Sequence, residues 1–257
     1  LPDWHRLAAT MSHLSTGSSS GEDRLDKTFF KVHADVMATK LLPLYLKVTT
    51  TVVRPLQWRG GQIFELYKGK HSPSDTKSYR DIWITSDMSK INDKLCRPPL
   101  KDVIQDASLP TQFGSGLNNG STAVAHVMLK AAQQVARVRG HTFGAVSIDI
   151  KSAFATLRRH LVIPSDFNDS ELFYNLLTIG FSDTEARELL QDIGAHQFLQ
   201  QAGITSHLLQ ILQDMHNHTW YTVDHLDQVT AVDRGTLAGT ILADLVFCGA
   251  MAKILKK

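Results

Sequence analysis

Residues 144–150, Gly-Ala-Val-Ser-Ile-Asp-Ile, constrain this chain more than any other stretch. Val146, Ile148 and Ile150 alternate with Ala145, Ser147 and Asp149. At a side-chain period of two, one face is branched and apolar, and the other is small with a single carboxylate. The pattern predicts a strand over 143–150, then a turn and a short helix carrying Phe154. A lone Asp on the small-residue face suits a cleft better than a core, because an unpaired buried carboxylate is costly.

Other segments supply the rest of an α+β chain. Residues 26–53 are rich in Leu, Val, Ala and Lys and read as a helix interrupted near Pro43. Pro55 and Gly60-Gly61 break that pattern. Residues 62–67 and 81–85 look like two short strands around a polar loop. Helices are expected at about 87–95, led by Ser86 or Asp87, and at 119–138, led by Asn118, Asn119 or Ser121. Residues 169–194 and 196–215 read as two or three helices, with Asp166, Asp169 and Ser182 as possible starts. Residues 220–232 look like a β-hairpin, with two β-rich runs around Asp224–Gln228. A last helix is expected from about 236 to 256. The mix places helices around a small antiparallel sheet.

Composition bounds the partners only loosely. The 257 residues carry a formal charge of +2, 43% are hydrophobic and 20% are charged. That is ordinary globular composition for one or two domains. Such a charge does not by itself announce a nucleic-acid partner. Local clusters say slightly more: Lys68, Lys70, Lys77 and Arg80; Arg137 and Arg139; Lys151, Arg158 and Arg159. Taken singly, each reads as a solvated face. The two cysteines, Cys96 and Cys248, form no CxxC pair, which fits a reducing intracellular setting. The N-terminus has no basic-then-apolar secretory layout. The apolar stretch 235–255 is long enough to cross a bilayer, but Asp244 near its centre makes insertion costly by roughly 2.5–3.5 kcal/mol. It reads as a buried helix, and no membrane partner is expected.

The pattern Asp149-x-x-x-Ala153-Phe154 after an apolar strand resembles the first catalytic motif of reverse transcriptases. In that family the Asp binds the catalytic metals and the aromatic is the steric gate against ribonucleotides. GGQIFELYKGKHSPSDTKSYRDIWITSDMSKI (60–91) resembles the fingers segment of non-LTR, LINE-like and group II intron enzymes. Lys68, Tyr79, Arg80, Ile82 and Lys90 fill the matching positions. QFGSGLNNGSTAVAHVM (112–128) resembles the family's Gln-Phe-Gly segment and the helix after it. VDRGTLAGTILADLVF (232–247) is similar to the Gln-Gly, Leu-Ser-Pro and Leu-Phe motif that opens a long palm helix. The four segments occur in the family's order, and the resemblance covers roughly residues 20–257.

The resemblance implies a right-hand polymerase. Residues 1–20 would be a flexible N-terminal arm, 21–139 the fingers, and 140–257 a partial palm. The palm would include a helical segment at about 165–219, and the thumb would be absent. The implied activity is RNA-directed DNA polymerisation on an RNA template with a DNA primer and deoxynucleoside triphosphates.

Such phosphoryl transfer needs little beyond positioning and two metal ions about 4 Å apart. Magnesium prefers oxygen ligands and keeps several waters. Asp149 is the candidate catalytic ligand, and the resemblance adds the backbone carbonyl of Ile150. Lys68 and Arg80 would meet the triphosphate, one as a point charge and one as a fork matching phosphate oxygens. Phe154 would close the sugar pocket, or else is a plain core aromatic. Arg234 and Gly235 stand where the family has Gln-Gly; the Gly would allow close backbone approach to nucleotide or template. Arg in place of Gln still stacks on a base or contacts phosphate. Ala238-Gly239 and Ala243-Asp244 replace the family's small and Pro positions, and Ala155 replaces a second Asp found in many LINE-like enzymes.

Two look-alikes carry less. His216-Asn217-His218 spells HNH, but such nucleases are not built from three adjacent residues. Tyr221 to His225 faintly resembles the family's aromatic-x-Asp-Asp turn, yet it precedes the Arg-Gly motif and reads as the hairpin before the last helix. The chain contains no Asp-Asp dipeptide, and Lys257 falls where that hairpin is expected. The chain alone is therefore expected not to polymerise, and the magnesium site is expected to be incomplete. The alternative is an inactive, RNA-binding remnant of the same fold.

Overall fold

Two hairpins meet in one sheet in the computed structural model of the chain. It describes all residues except 18, 22, 160, 161, 164–169, 196, 197, 227, 233, 237, 238 and 257. Strand β1 (Gly60–Tyr67) pairs antiparallel with β2 (Tyr79–Thr85), and β3 (Thr219–Val223) pairs antiparallel with β4 (Val229–Val232). The hairpins join through β1 and β3, which run parallel, giving the order β2-β1-β3-β4. The expected strands at 62–67, 81–85 and 220–232 are thus present. The sheet is mixed, however, and not purely antiparallel. The long helical connection between β1 and β3 leaves room for the crossover that parallel neighbours need.

The expected strand over 143–150 is absent from this sheet. Residues 141–150 form neither helix nor strand and all are exposed, Val146 by 90% and Ile148 by 84%. Alternation makes a segment fit to be a strand, but a strand exists only when a neighbouring edge accepts its N–H and C=O groups. Among the described residues no backbone hydrogen bond involves 142–151.

Helices form the hydrophobic cores. Residues 1–20 are not a detached arm: α1 (Trp4–Ser12) is capped by Asp3 and buries Leu7, Ala8 and Met11. These pack with Phe30 of α2 (Lys27–Val32) and with Ala38, Tyr45 and Val48 of α3 (Ala34–Thr51). The Tyr45 hydroxyl reaches the Met88 carbonyl at 3.0 Å, which ties this core to α4 (Asp87–Ala107). Helix α4 starts at its Ser86 cap, as expected, but runs on past Pro98 and Pro99. Those prolines remove backbone donors. Its second half is held by burial of Leu100 and Ile104 and by two 2.8 Å bonds from Arg97 to Asp244.

Helix α5 (Thr122–Val138) buries no residue, and α6 (Ala153–Thr156) is a single turn. Next come α7 (Ser170–Thr178), α8 (Asp183–Ala195), α9 (Phe198–Gln201), α10 (Ser206–Met215) and α11 (Ala243–Leu255). Ser182 starts α8 through reciprocal bonds with Glu185, a capping box. The suggested starts Asp166 and Asp169 lie outside the described residues. Helix α11 is apolar nearly all round and buries Leu245, Val246, Cys248 and Ala250 in a core with Leu100, Leu199 and Leu212. Among the described residues no helix is long and apolar enough to cross a membrane.

Buried arginines tie the sheet to the helices. Arg54 donates from Nη2 to Ser89 Oγ at 2.7 Å and to Asp93 Oδ1 at 2.8 Å, and its backbone N–H meets Asp214 Oδ2 at 2.8 Å. Arg59 donates to the other Asp214 oxygen at 2.6 Å. Burial pushes the Asp93 carboxyl up, and the Arg54 guanidinium opposes that. Breaking such a pair leaves a buried charge uncompensated.

His216, at the end of α10, turns its ring into this charged interior. Its Nδ1 lies 2.9 Å from the Leu212 carbonyl. Burial, with the nearby Arg159 and Arg54 charges, holds its pKa down at about 4. The unfolded chain therefore takes up a proton that the folded chain refuses. Stability should fall as pH drops from about 6.5 to about 4, by up to about 3 kcal/mol, and this contribution should level off below that. Urea unfolding across this range checks it. The His216→Asn variant retains a donor but does not titrate, and should show a smaller loss.

Candidate functional site

The single turn α6 and the loop after β4 meet backbone to backbone. Gly235 N–H donates to the Leu157 carbonyl at 2.8 Å, and Thr236 N–H donates to the Phe154 carbonyl at 2.8 Å. Gly235 has φ +67°, and a Cβ there would lie 2.6 Å from the carbonyl oxygens of both Phe154 and Ala155. Only glycine fits, on grounds of space as well as conformation. The sequence expects Gly235 to allow backbone approach to nucleotide or template; the group that lies against it here is the Phe154–Ala155 backbone. Ala238 lies outside the described residues. Gly239 lies over β2, where a Cβ would sit 3.1 Å from the Trp83 carbonyl oxygen.

Phe154 is half-buried, and its ring meets Phe247 of α11 at 5.6 Å between centroids. It is therefore partly a packing residue and partly exposed. Arg234 is exposed, and its carbonyl accepts from Arg159 Nη2 at 3.0 Å.

Arg159 assembles this junction. It is only 8% exposed. Its Nε donates to the Gly235 carbonyl at 2.6 Å, and Nη1 to the carbonyls of His216 at 2.6 Å and Val232 at 3.3 Å. Nη2 donates to Thr219 Oγ1 at 2.8 Å as well as to Arg234. The grouping of Lys151, Arg158 and Arg159 as a solvated cationic face is corrected here: Arg159 faces inward. Nothing in Leu157-Arg158-Arg159 distinguishes the buried arginine from its neighbour. Arg54 and Arg59 were equally invisible. The one available signal was their place beside Pro55 and Trp58, between an apolar helix and a strand.

Lys68 and Arg80 stand on the β1–β2 hairpin. Arg80 is directly opposite Leu66, and the Lys68 N–H bonds the Ser78 carbonyl at 2.8 Å. Alternation puts both cations on one face. Both are exposed, and Lys68 Nζ donates to the Lys77 carbonyl at 2.7 Å. Tyr67 and Tyr79 pair on the opposite face at 5.5 Å.

Asp149 and Ile150 are not brought to this junction by a strand. Both are exposed on the unpaired segment, and no hydrogen bond or ion pair among the described residues joins Asp149 to Lys68 or Arg80. Among the described residues no group of three or more His, Cys, Asp or Glu side chains is placed to hold a metal ion.

The two look-alike motifs sit as structural elements. Tyr221 to His225 is the end of β3 and its turn; Asp224 Oδ1 accepts from Gln62 Nε2 at 2.9 Å. His216 faces the Leu212 carbonyl, as described above. No protein-family model matches the chain, and no curated protein matches it.

The contact at Gly235 gives a controlled prediction. Gly140 has the same φ of +67°, but a Cβ there would meet nothing within 4 Å. Gly140→Ala should cost about 1–2 kcal/mol, the strain of a left-handed L-residue. Gly235→Ala should cost about 2 kcal/mol or more beyond that, because backbone carbonyls must move. Chemical denaturation of the two variants beside the parent measures the difference.

Proposed function

We propose that this chain is the fingers and partial palm of an RNA-directed DNA polymerase. One observation carries the reading. Two segments far apart in sequence, each assigned by resemblance to the same deoxynucleotide pocket, touch through Phe154 and Gly235. In this reading the exposed part of Phe154 is the wall beneath the sugar, and Arg234 stands at its rim. Specificity then comes from a steric penalty against the 2′-hydroxyl. Lys68 and Arg80 present paired cations to phosphate from one face of the hairpin. Magnesium, when bound in such an enzyme, would activate the primer hydroxyl and neutralise the leaving group. In this reading Asp149 is the carboxylate that the resemblance assigns to the metal, and the chain is expected to bind without polymerising.

A second reading, an RNA-binding remnant without chemistry, is favoured by one further observation. The hairpin cations Lys68, Lys70, Lys77 and Arg80 are all exposed, while Asp149 stands off the sheet.

The test is binding of an RNA–DNA hybrid, followed by fluorescence anisotropy across a salt series. Affinity should fall as salt rises, through release of counterions. Lys68→Ala and Arg80→Ala should each lower the salt slope by about one phosphate contact. Salt-independent binding, or binding unchanged when both substitutions are combined, would overturn the nucleic-acid reading. Primer extension on an RNA template should give no product above a no-enzyme control. Magnesium-dependent product that disappears in Asp149→Asn would replace the binding-only statement with an active enzyme.

A further inference from the structure

Among the described residues, the four strands contribute no side chain to any of the hydrophobic cores. A sheet ordinarily buries an apolar face against another layer. Here the register fixes what each face carries instead. Trp220 stands opposite Gly60, Phe64 opposite Ile82, and Leu66 opposite Arg80. Alternation brings these side chains to one face, with Lys68 just beyond the end of β1. Leu66 is exposed by 54% and Ile82 by 39%, and Trp220 and Phe64 keep part of their surface exposed. On the other face Glu65 stands directly opposite Asp81, and both are exposed.

The Trp220 indole is held in one orientation. Its Nε1 donates to the Leu56 carbonyl at 2.8 Å. A Cβ on Gly60 would overlap the two ring-fusion carbons, Cδ2 and Cε2. Those atoms lie at the middle of the indole, so the ring meets Gly60 with its face, and its other face points away from β1. A ring already fixed in this way loses little rotamer freedom when a flat partner lies on it. From Gly60, Phe64 and Lys68 follow at steps of four residues, roughly 13 Å each along the strand. The face thus runs from a fixed ring, past a second ring, to a pair of cations.

We propose that this face binds a single strand of nucleic acid, with bases stacked on Trp220 and Phe64 and phosphates met by Lys68 and Arg80. Charge selects the face: a polyanion is drawn to the cations here and repelled by the Glu65–Asp81 pair on the other side. The rings select the chemistry of the partner. Every base has a π-face, so stacking tolerates any sequence, and only unpaired bases can lie on a ring set in a sheet. Leu66 and Ile82 extend the apolar surface beside Phe64. An acidic peptide would satisfy the cations but leave the fixed indole without a flat partner. This rests on the nucleic-acid reading of the hairpin cations, and not on the polymerase assignment.

Fluorescence anisotropy of the whole chain with labelled oligo(dT), with the RNA–DNA hybrid and with poly-glutamate tests it. Oligo(dT) should bind at least about fivefold tighter than the hybrid, the effect of stacking one base, and tighter than poly-glutamate. Trp220→Leu and Phe64→Leu should each weaken oligo(dT) about fivefold or more at an unchanged salt slope, whereas Lys68→Ala should lower the slope. Ultraviolet cross-linking of oligo(dT) to the parent chain, read by mass spectrometry, should mark the peptides holding Trp220 or Phe64. That measurement decides the matter even where Trp220→Leu fails to fold; cross-links confined to other peptides overturn the proposal. Equal affinity for single strand and hybrid, with a salt slope that Lys68→Ala lowers, overturns the stacking face and leaves the hairpin cations as a phosphate site. Poly-glutamate bound as tightly as oligo(dT) overturns it in favour of an acidic protein partner. Absence of binding to any of the three removes the nucleic-acid reading together with it.

Discussion

The Arg159 guanidinium is the interaction on which the arrangement depends. A planar fork with five N–H donors meets carbonyls from the end of α10, from β4 and from the 234–235 loop, and the hydroxyl of Thr219 on β3. Carbonyl groups buried at such a junction need donors, since each orphan would cost about 1–3 kcal/mol. One arginine satisfies several at once and thereby sets their spacing. A lysine, with a compact ammonium, lacks the fork geometry to reach acceptors in this plane. With the loop so fixed, Gly235 is held against α6, and the Phe154 ring is held against α11. The closeness of Phe154 and Gly235 is therefore supported by a buried arginine that holds the Arg234 and Gly235 carbonyls in place.

Much of the local structure was legible in the sequence because its causes are local. The hairpins at 60–85 and 219–232 follow from period-two alternation around polar turns. The Ser86 and Ser182 starts follow from side chains that accept the first N–H groups of a helix. The parts that were not legible depend on distant partners. Helix α4 continues through Pro98-Pro99 because Arg97 finds Asp244 on a helix far along the chain. The N-terminal residues read as an arm, yet Leu7, Met11 and Leu14 become core once α3 supplies the opposite face. Arg54, Arg59 and Arg159 look like any surface cations until the fold closes around them.

The candidate site divides along the same line. Phe154, Arg234 and Gly235 come together because hydrogen bonds and a left-handed glycine hold them. Lys68 and Arg80 share a hairpin face because antiparallel pairing fixes their register. Asp149 does not join them, although its motif was the clearest in the chain. A strand pattern specifies which residues share a face, but only a pairing edge specifies where that face points.

That distinction gives the unpaired segment its significance. Its two faces ask for different surroundings. Val146, Ile148 and Ile150 are destabilising in water and stabilising under an apolar cover, whereas Ala145, Ser147 and Asp149 are satisfied by solvent. Any edge that pairs with 143–150 must therefore bury the first face and leave the second toward a cleft. Whatever supplies that edge also decides how firmly Asp149 is held. An exposed loop lets a carboxylate range over several ångströms, while a paired strand fixes it to well under one, and positional control of that order separates a chemical group from a merely charged one.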